Sequence, residues 1–162
     1  MMCKRANIAL FLMAVSFFGI TSSTQAANYL ARDHLVVDLR HGVDWLRCTV
    51  GQVWNGAGCE GDTVRLNHED IEIAIKQAGD QLGGNWRLPR LNELEDLLCK
   101  SCQRPLIDSE IFPGTEPEPY WTGEQNSMSK QHYFSVNFFN GWIYGRFSPT
   151  QSLAVRLVRD RQ

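Results

Sequence analysis

Much of the functional reading of this 162-residue chain starts from what it lacks. Its four histidines, His34, His41, His68 and His132, are scattered, and none sits in a nucleophile motif. No catalytic constellation stands out. Charge of one sign does not accumulate: 16 basic residues face 18 acidic ones, for a net charge of −2 at pH 7. That balance argues against broad electrostatic binding to nucleic acid or to anionic membranes. Beyond the first 26 residues no stretch approaches about 18 consecutive apolar residues, so no membrane insertion is expected after them. There is no internal repeat and no linker long enough to separate a second domain.

What is present begins with a leader. Lys4 and Arg5 form a short basic start, residues 8–20 are an apolar run, and residues 21–25 turn polar. Thr24 and Ala26 put small residues where a signal peptidase reads. Residues 1–26 therefore read as a secretory signal peptide and residues 27–162 as one domain with one core. Cys3 precedes the apolar run and leaves with the leader. Without Lys4 and Arg5 the remaining domain holds 14 basic residues (16 minus 2) against 18 acidic, a net charge of −4. The expected destination is the periplasm or the cell exterior.

Four cysteines remain: Cys48, Cys59, Cys99 and Cys102. An even number in an exported chain implies disulfides, and three pairings are possible. The favoured one joins Cys48 to Cys59 and Cys99 to Cys102. The first closes a loop of about a dozen residues, worth roughly 3 kcal/mol by the chain-entropy account. The second is a tight CxxC bridge. A thioredoxin-type redox role for Cys99 and Cys102 would need the first thiol at a helix N-terminus, whereas this pair follows a helical run. A structural zinc site built from the four thiols fits an exported chain poorly.

The centre of the chain is residues 85–98, NWRLPRLNELEDLL. Pro89 sharpens a switch from extended backbone to helix. Leu91, Leu94, Leu97 and Leu98 recur at helical spacing, and Trp86 adds a large area to bury. This stretch reads as core architecture. Before it, residues 27–33 read as a lead into the fold, residues 34–40 as a strand and residues 43–47 as another. The glycine-rich residues 50–61 read as irregular backbone held by the first disulfide. Asn67 caps a helix carrying Ile71, Ala74, Ile75, Ala78 and Leu82 on one face, and Gly83-Gly84 stops it. Residues 105–119 form a loop. From Tyr120 onward the pattern is β. His132, Phe134, Val136 and Phe138 alternate on one face, and Asn140-Gly141 predicts a tight hairpin into residues 142–147. Leu153, Val155 and Leu157 alternate against Arg156 in a last strand. Helices early and an antiparallel sheet late give an α+β domain.

An ordered set of short motifs resembles one bacterial family. Trp45-Leu46-Arg47-Cys48 leads into Gly51-Gln52-Val53-Trp54-Asn55-Gly56 and Cys59. Trp86-Arg87-Leu88-Pro89 follows with Asn92-Glu93-Leu94. Then come Ile107-Asp108, Phe112-Pro113, Tyr120-Trp121, Val136-Asn137-Phe138 with Gly141, and Val155-Arg156-Leu157-Val158-Arg159. Together they resemble the Lcl C-terminal domain family, an exported group of unknown function, over residues 43–159. Where that family usually has a helix-capping threonine, this chain has Arg90. Asn92 with Glu95 is an alternative cap one turn later. The resemblance implies a C-type-lectin-like fold: two helices beside a small twisted antiparallel sheet, with the chain ends close together. It implies no known reaction, and it places relatives on surface and adhesin-type proteins.

The candidate ligand residues are Glu124, Asn126, Asn137, Asn140, Trp142, Tyr144 and Arg146. The flat rings suit sugar faces, and the amides and Arg146 suit hydroxyls or sulfates. Calcium is the one cofactor to consider, through Glu116, Glu118, Glu124 and Asn126; Glu124-Gln125-Asn126 loosely echoes a lectin sugar motif, but the Trp-Asn-Asp that accompanies it is absent. The leading expectation is a non-catalytic binding module for a glycan or an envelope or host protein. The alternatives are a thiol-disulfide or other enzyme using Cys99 and Cys102, and a structural subunit of an envelope assembly.

Overall fold

A computed structural model of the protein describes residues 28–161. The leader and Cys3 lie outside the described residues. The chain opens with an antiparallel meander of β1 (Tyr29–Arg32), β2 (Leu35–Asp38) and β3 (Val43–Leu46). β1 occupies a segment that reads as a mere lead into the fold. It pairs because Tyr29 has something to bury: its ring meets Phe112 edge-on and its hydroxyl donates to the Asp96 carbonyl at 3.2 Å. A short ladder of β4 (Val53–Trp54) and β5 (Cys59–Glu60) lies inside the first disulfide loop.

Helix α1 (His68–Leu82) begins where Asn67 Oδ1 accepts from the Asp70 N–H at 3.0 Å. It ends at Gly83, whose φ of +68° is the left-handed geometry that glycine adopts without strain. β6 (Trp86–Arg87) and α2 (Leu91–Glu95) follow. The capping question at Arg90 is decided by carboxylates. Glu93 Oε2 accepts from the Arg90 N–H at 2.7 Å, and Glu124 Oε2 reaches across from a distant strand to the Leu91 N–H at 2.9 Å. The helix therefore starts at Leu91, with Arg90 as its cap residue, rather than after a cap at Asn92. Two anionic acceptors satisfy the Arg90 and Leu91 N–H groups and complement the positive end of the short helix.

The remaining strands are β7 (Pro119–Gln125), β8 (Tyr133–Asn137), β9 (Ile143–Phe147) and β10 (Val158–Asp160). β10 inserts between β3 and β6, so the larger sheet runs β1-β2-β3-β10-β6; β7-β8-β9 form a second antiparallel sheet. The protein is an α+β domain stapled by Cys48–Cys59 and Cys99–Cys102, the favoured pairing.

Two apolar clusters meet at β7. Tyr120 belongs to one, with Trp45, Leu94, Phe112, Val136 and Phe138. Trp121, the next residue, belongs to the other, with Ile71, Trp86, Val155 and Leu157. Successive strand residues point to opposite faces, so β7 is buried on both sides for its first half. Trp86 is buried and its indole N–H donates to the Gly83 carbonyl at 2.9 Å, which ties the central stretch to the end of α1.

Two β expectations change. His132 lies outside β8 and hydrogen-bonds Ser129 Oγ at 2.7 Å. Residues 153–157 do not form a regular strand; Leu153 and Ala154 make isolated bridges and only Val158–Asp160 enters the ladder. This segment has no solvent face at all, and Leu153, Val155, Leu157 and Arg156 are all buried. Alternation failed as a guide there because the segment threads between the two clusters.

Candidate functional site

The last hairpin is built differently from its Asn-Gly signal. β8 and β9 close at Asn137, whose N–H donates to the Trp142 carbonyl, leaving residues 138–141 as a four-residue loop instead of a two-residue turn. Phe138 is the reason. Its side chain drops into the core and packs edge-on against Tyr120 at 5.1 Å between centroids. Gly141 takes φ +73° to bring the chain back, and its N–H donates to the Asn137 carbonyl.

With Phe138 anchored, the neighbouring groups are presented outward. Asn137 Oδ1 accepts from the Phe139 N–H, and Asn140 Oδ1 from the Trp142 N–H. Asn140 Nδ2 donates to the Tyr144 hydroxyl at 3.0 Å. The Trp142 indole is 65% exposed and lies 6.3 Å from the Tyr144 ring, with an interplanar angle of 50°. Tyr144 in turn packs edge-on against Phe147, which touches Trp121. The exposed rings thus rest on a chain of contacts reaching the core. Arg104 supports the loop from below, with its guanidinium 4.4 Å from the Phe139 ring and its Nε donating to the Phe139 carbonyl.

The structure brings Asn137, Asn140, Trp142 and Tyr144 together. Arg146 is exposed two residues further along β9, beyond an irregularity in the β8–β9 register. Asn126 adjoins the same strand, donating to the Gly145 carbonyl at 2.7 Å while its Oδ1 accepts from the Met128 N–H. Glu124 does not join them, since its carboxylate caps α2.

The matching family profile is that of the Lcl C-terminal domain, over residues 34–159. The chain belongs to the Lcl C-terminal domain family. The match begins ahead of the resembling motifs and takes in β2 as well. It is a family of unknown function. No curated protein matches the chain.

In this Lcl C-terminal domain several side chains of the acidic loop are held by other partners. Glu118 Oε2 pairs with Arg65 Nε at 2.8 Å, Glu124 caps α2, and Asn126 is committed to backbone groups. Among the described residues no group of three or more His, Cys, Asp or Glu side chains is gathered as metal ligands. The CxxC bridge follows the C-terminal end of α2, where the helix dipole disfavours a thiolate, and Cys99 is buried.

Sequence reasoning missed the most unusual polar group. Arg156 is fully buried with no carboxylate in ion-pairing range among the described residues. Its Nη1 donates to the carbonyls of Leu46 and Arg47, and its Nη2 to Thr49 Oγ1 at 3.1 Å and Thr115 Oγ1 at 2.8 Å. Its guanidinium carbon stands 5.0 Å from the Phe112 ring centroid. Burial lowers its pKa to about 10, so it remains charged at neutral pH. Thr49 Oγ1 also meets the Tyr120 hydroxyl at 3.1 Å, and that hydroxyl accepts from the Glu116 N–H. Arg156 is a strut joining the start of the first disulfide loop to the loop before β7. Its one sequence signal is a cation inside an apolar run.

Proposed function

We propose that this protein is an exported, non-catalytic binding module with a C-type-lectin-like arrangement, acting in the periplasm or outside the cell. Its ligand is a glycan or an envelope or host protein, engaged through the last hairpin. The observation that carries this reading is the Trp142 indole, 65% exposed and held beside Tyr144 by the Asn140 amide. Exposing so large a ring costs solvation, and single exposed rings backed by a rigid scaffold are what stacking on a sugar face or anchoring a partner requires. Arg146 lies on β9 of the same hairpin and Arg104 meets its loop at Phe139, which suits sulfate or carboxylate groups on the ligand. The lectin-like arrangement is supported by β1 and β10 sharing one sheet, which brings the two ends of the domain into the same layer. Among the described residues no helix is long and apolar enough to cross a membrane.

The test is a glycan array run beside a pull-down from envelope and host-surface extracts, with the wild type and Trp142→Ala. Retention of a ligand that the variant loses by about tenfold or more supports the reading. No ligand in either format, or equal binding by both proteins, overturns it. The thiol-enzyme alternative is weakened by the burial of Cys99 and the placement of the bridge after α2.

A further inference from the structure

A second concave surface, sharing no lining residue with the hairpin, lies between the first disulfide loop and α1. It is a cleft of about 620 Å³, within the size range of small-molecule sites. Leu46, Val50 and Leu157 line it together with Ala74 and Ala78 of α1, where small side chains leave the space open. Trp54 forms one wall. Its ring is fixed on three counts: β4 pairs with β5, Cys59 is bonded to Cys48, and the Arg47 guanidinium sits 3.9 Å from the ring centroid. Arg47 is itself pinned, donating to the carbonyls of Ile111 and Glu110. Gly51 completes the turn at φ +98°, where an added Cβ would stand 2.4 Å from the Asp62 carbonyl oxygen.

The polar side chains lining this cleft are mostly uncharged amides. Gln77 and Gln81, one turn apart on α1, line it and have no side-chain partner among the described residues. The Trp54 indole N–H is buried, with the Asp33 carboxylate as its neighbour. Asp33 stands at one end beside His34, with 3.2 Å between Oδ2 and Nδ1. No lysine or arginine lines the cleft, and Asp33 is its one carboxylate.

We propose that this cleft binds an uncharged oligosaccharide of about two or three sugar rings. Each free carboxamide offers both donors and an acceptor, the combination that paired ring hydroxyls take up. A carboxylate accepts from hydroxyls, and an immobilised indole wall packs on the apolar face of a pyranose. With no lysine or arginine in the lining, sulfated and uronic sugars are disfavoured, since their anions would meet the Asp33 carboxylate. The site stands on different residues from the hairpin, so either can fail alone.

The experiment is a titration of ¹⁵N-labelled protein with neutral gluco-, galacto- and manno-trisaccharides, with sulfated and uronate trisaccharides and a neutral tripeptide alongside. The Trp54 indole and the Gln77 and Gln81 carboxamide resonances are followed. The expected result is saturable shifts of these signals with at least one neutral trisaccharide. Affinity should fall about tenfold in Ala74→Leu, which fills the floor, and in the double variant Gln77→Ala/Gln81→Ala, and stay unchanged in Trp142→Ala. Unshifted Trp54 and glutamine signals at tens of millimolar of every neutral sugar overturn the proposal. So does a response to the peptide or the charged sugars alone, or one confined to Trp142.

Discussion

The hairpin spanning β8 and β9 and the segment of residues 152–159 are both β-prone runs in which apolar and polar residues alternate, yet they end in opposite places. The hairpin lies at the margin of its sheet and presents Trp142 and Phe139 to solvent. The later segment passes between two apolar clusters and buries a charged Arg156 with its leucines and valines. The difference teaches that alternation reports only that side chains point two ways. Which side is wet depends on what lies across from each face. The inner run stabilises the fold and the outer one is free to recognise.

The largest break in this comparison should come from Arg156→Met. It keeps much of the side-chain volume but leaves the Leu46 and Arg47 carbonyls and the Thr49 and Thr115 hydroxyls without their donor. A loss of about 3 kcal/mol is expected, because several buried acceptors go unpaired. At roughly 3 °C per kcal/mol for a domain of this size, calorimetry should show Tm lower by about 10 °C. An unchanged Tm would mean that the inner segment carries no more stability than the hairpin.

A smaller effect is expected at the junction between the two regions, where α2 begins. Burial pushes the Glu93 carboxyl upward, but the Arg87 guanidinium, at 2.8 and 2.9 Å, and the Arg90 N–H together hold it below the usual carboxylate range. A carboxylate whose folded pKa is depressed contributes stability that is complete above its unfolded pKa, about 4.3, and lost as pH falls through the lower folded value. Glu93→Gln should therefore cost about 2 kcal/mol at pH 7 and flatten the acid limb of the stability curve below roughly pH 4. Chemical denaturation across pH reads both. Parallel acid limbs in variant and wild type would remove Glu93 from the account.

The smallest effect on stability belongs to the hairpin. Trp142→Ala should move the unfolding free energy by no more than about 0.5 kcal/mol, since the indole is mostly solvated and its removal leaves no cavity. The same variant is the one that should lose ligand. A large drop in stability would place Trp142 with the inner segment and erase the contrast.

Local chemistry was enough for a good part of this protein. Asn67 and Gly83-Gly84 bound α1 because capping and left-handed turns depend on neighbours a few residues away. The disulfide pairing and the burial of Trp86 were legible for the same kind of reason, from close spacing and sheer apolar area. The aromatic and amide content of the hairpin was visible too. Tertiary structure alone decided the rest. Glu124 caps a helix 33 residues earlier in the chain, Phe138 turns an Asn-Gly signal into a longer loop by seeking the core, and Arg156 finds carbonyls more than a hundred residues away. The cleft beside Trp54 exists only because α1 lies across from the first disulfide loop. Such partners are set by where whole elements come to rest, and local propensity holds no record of that.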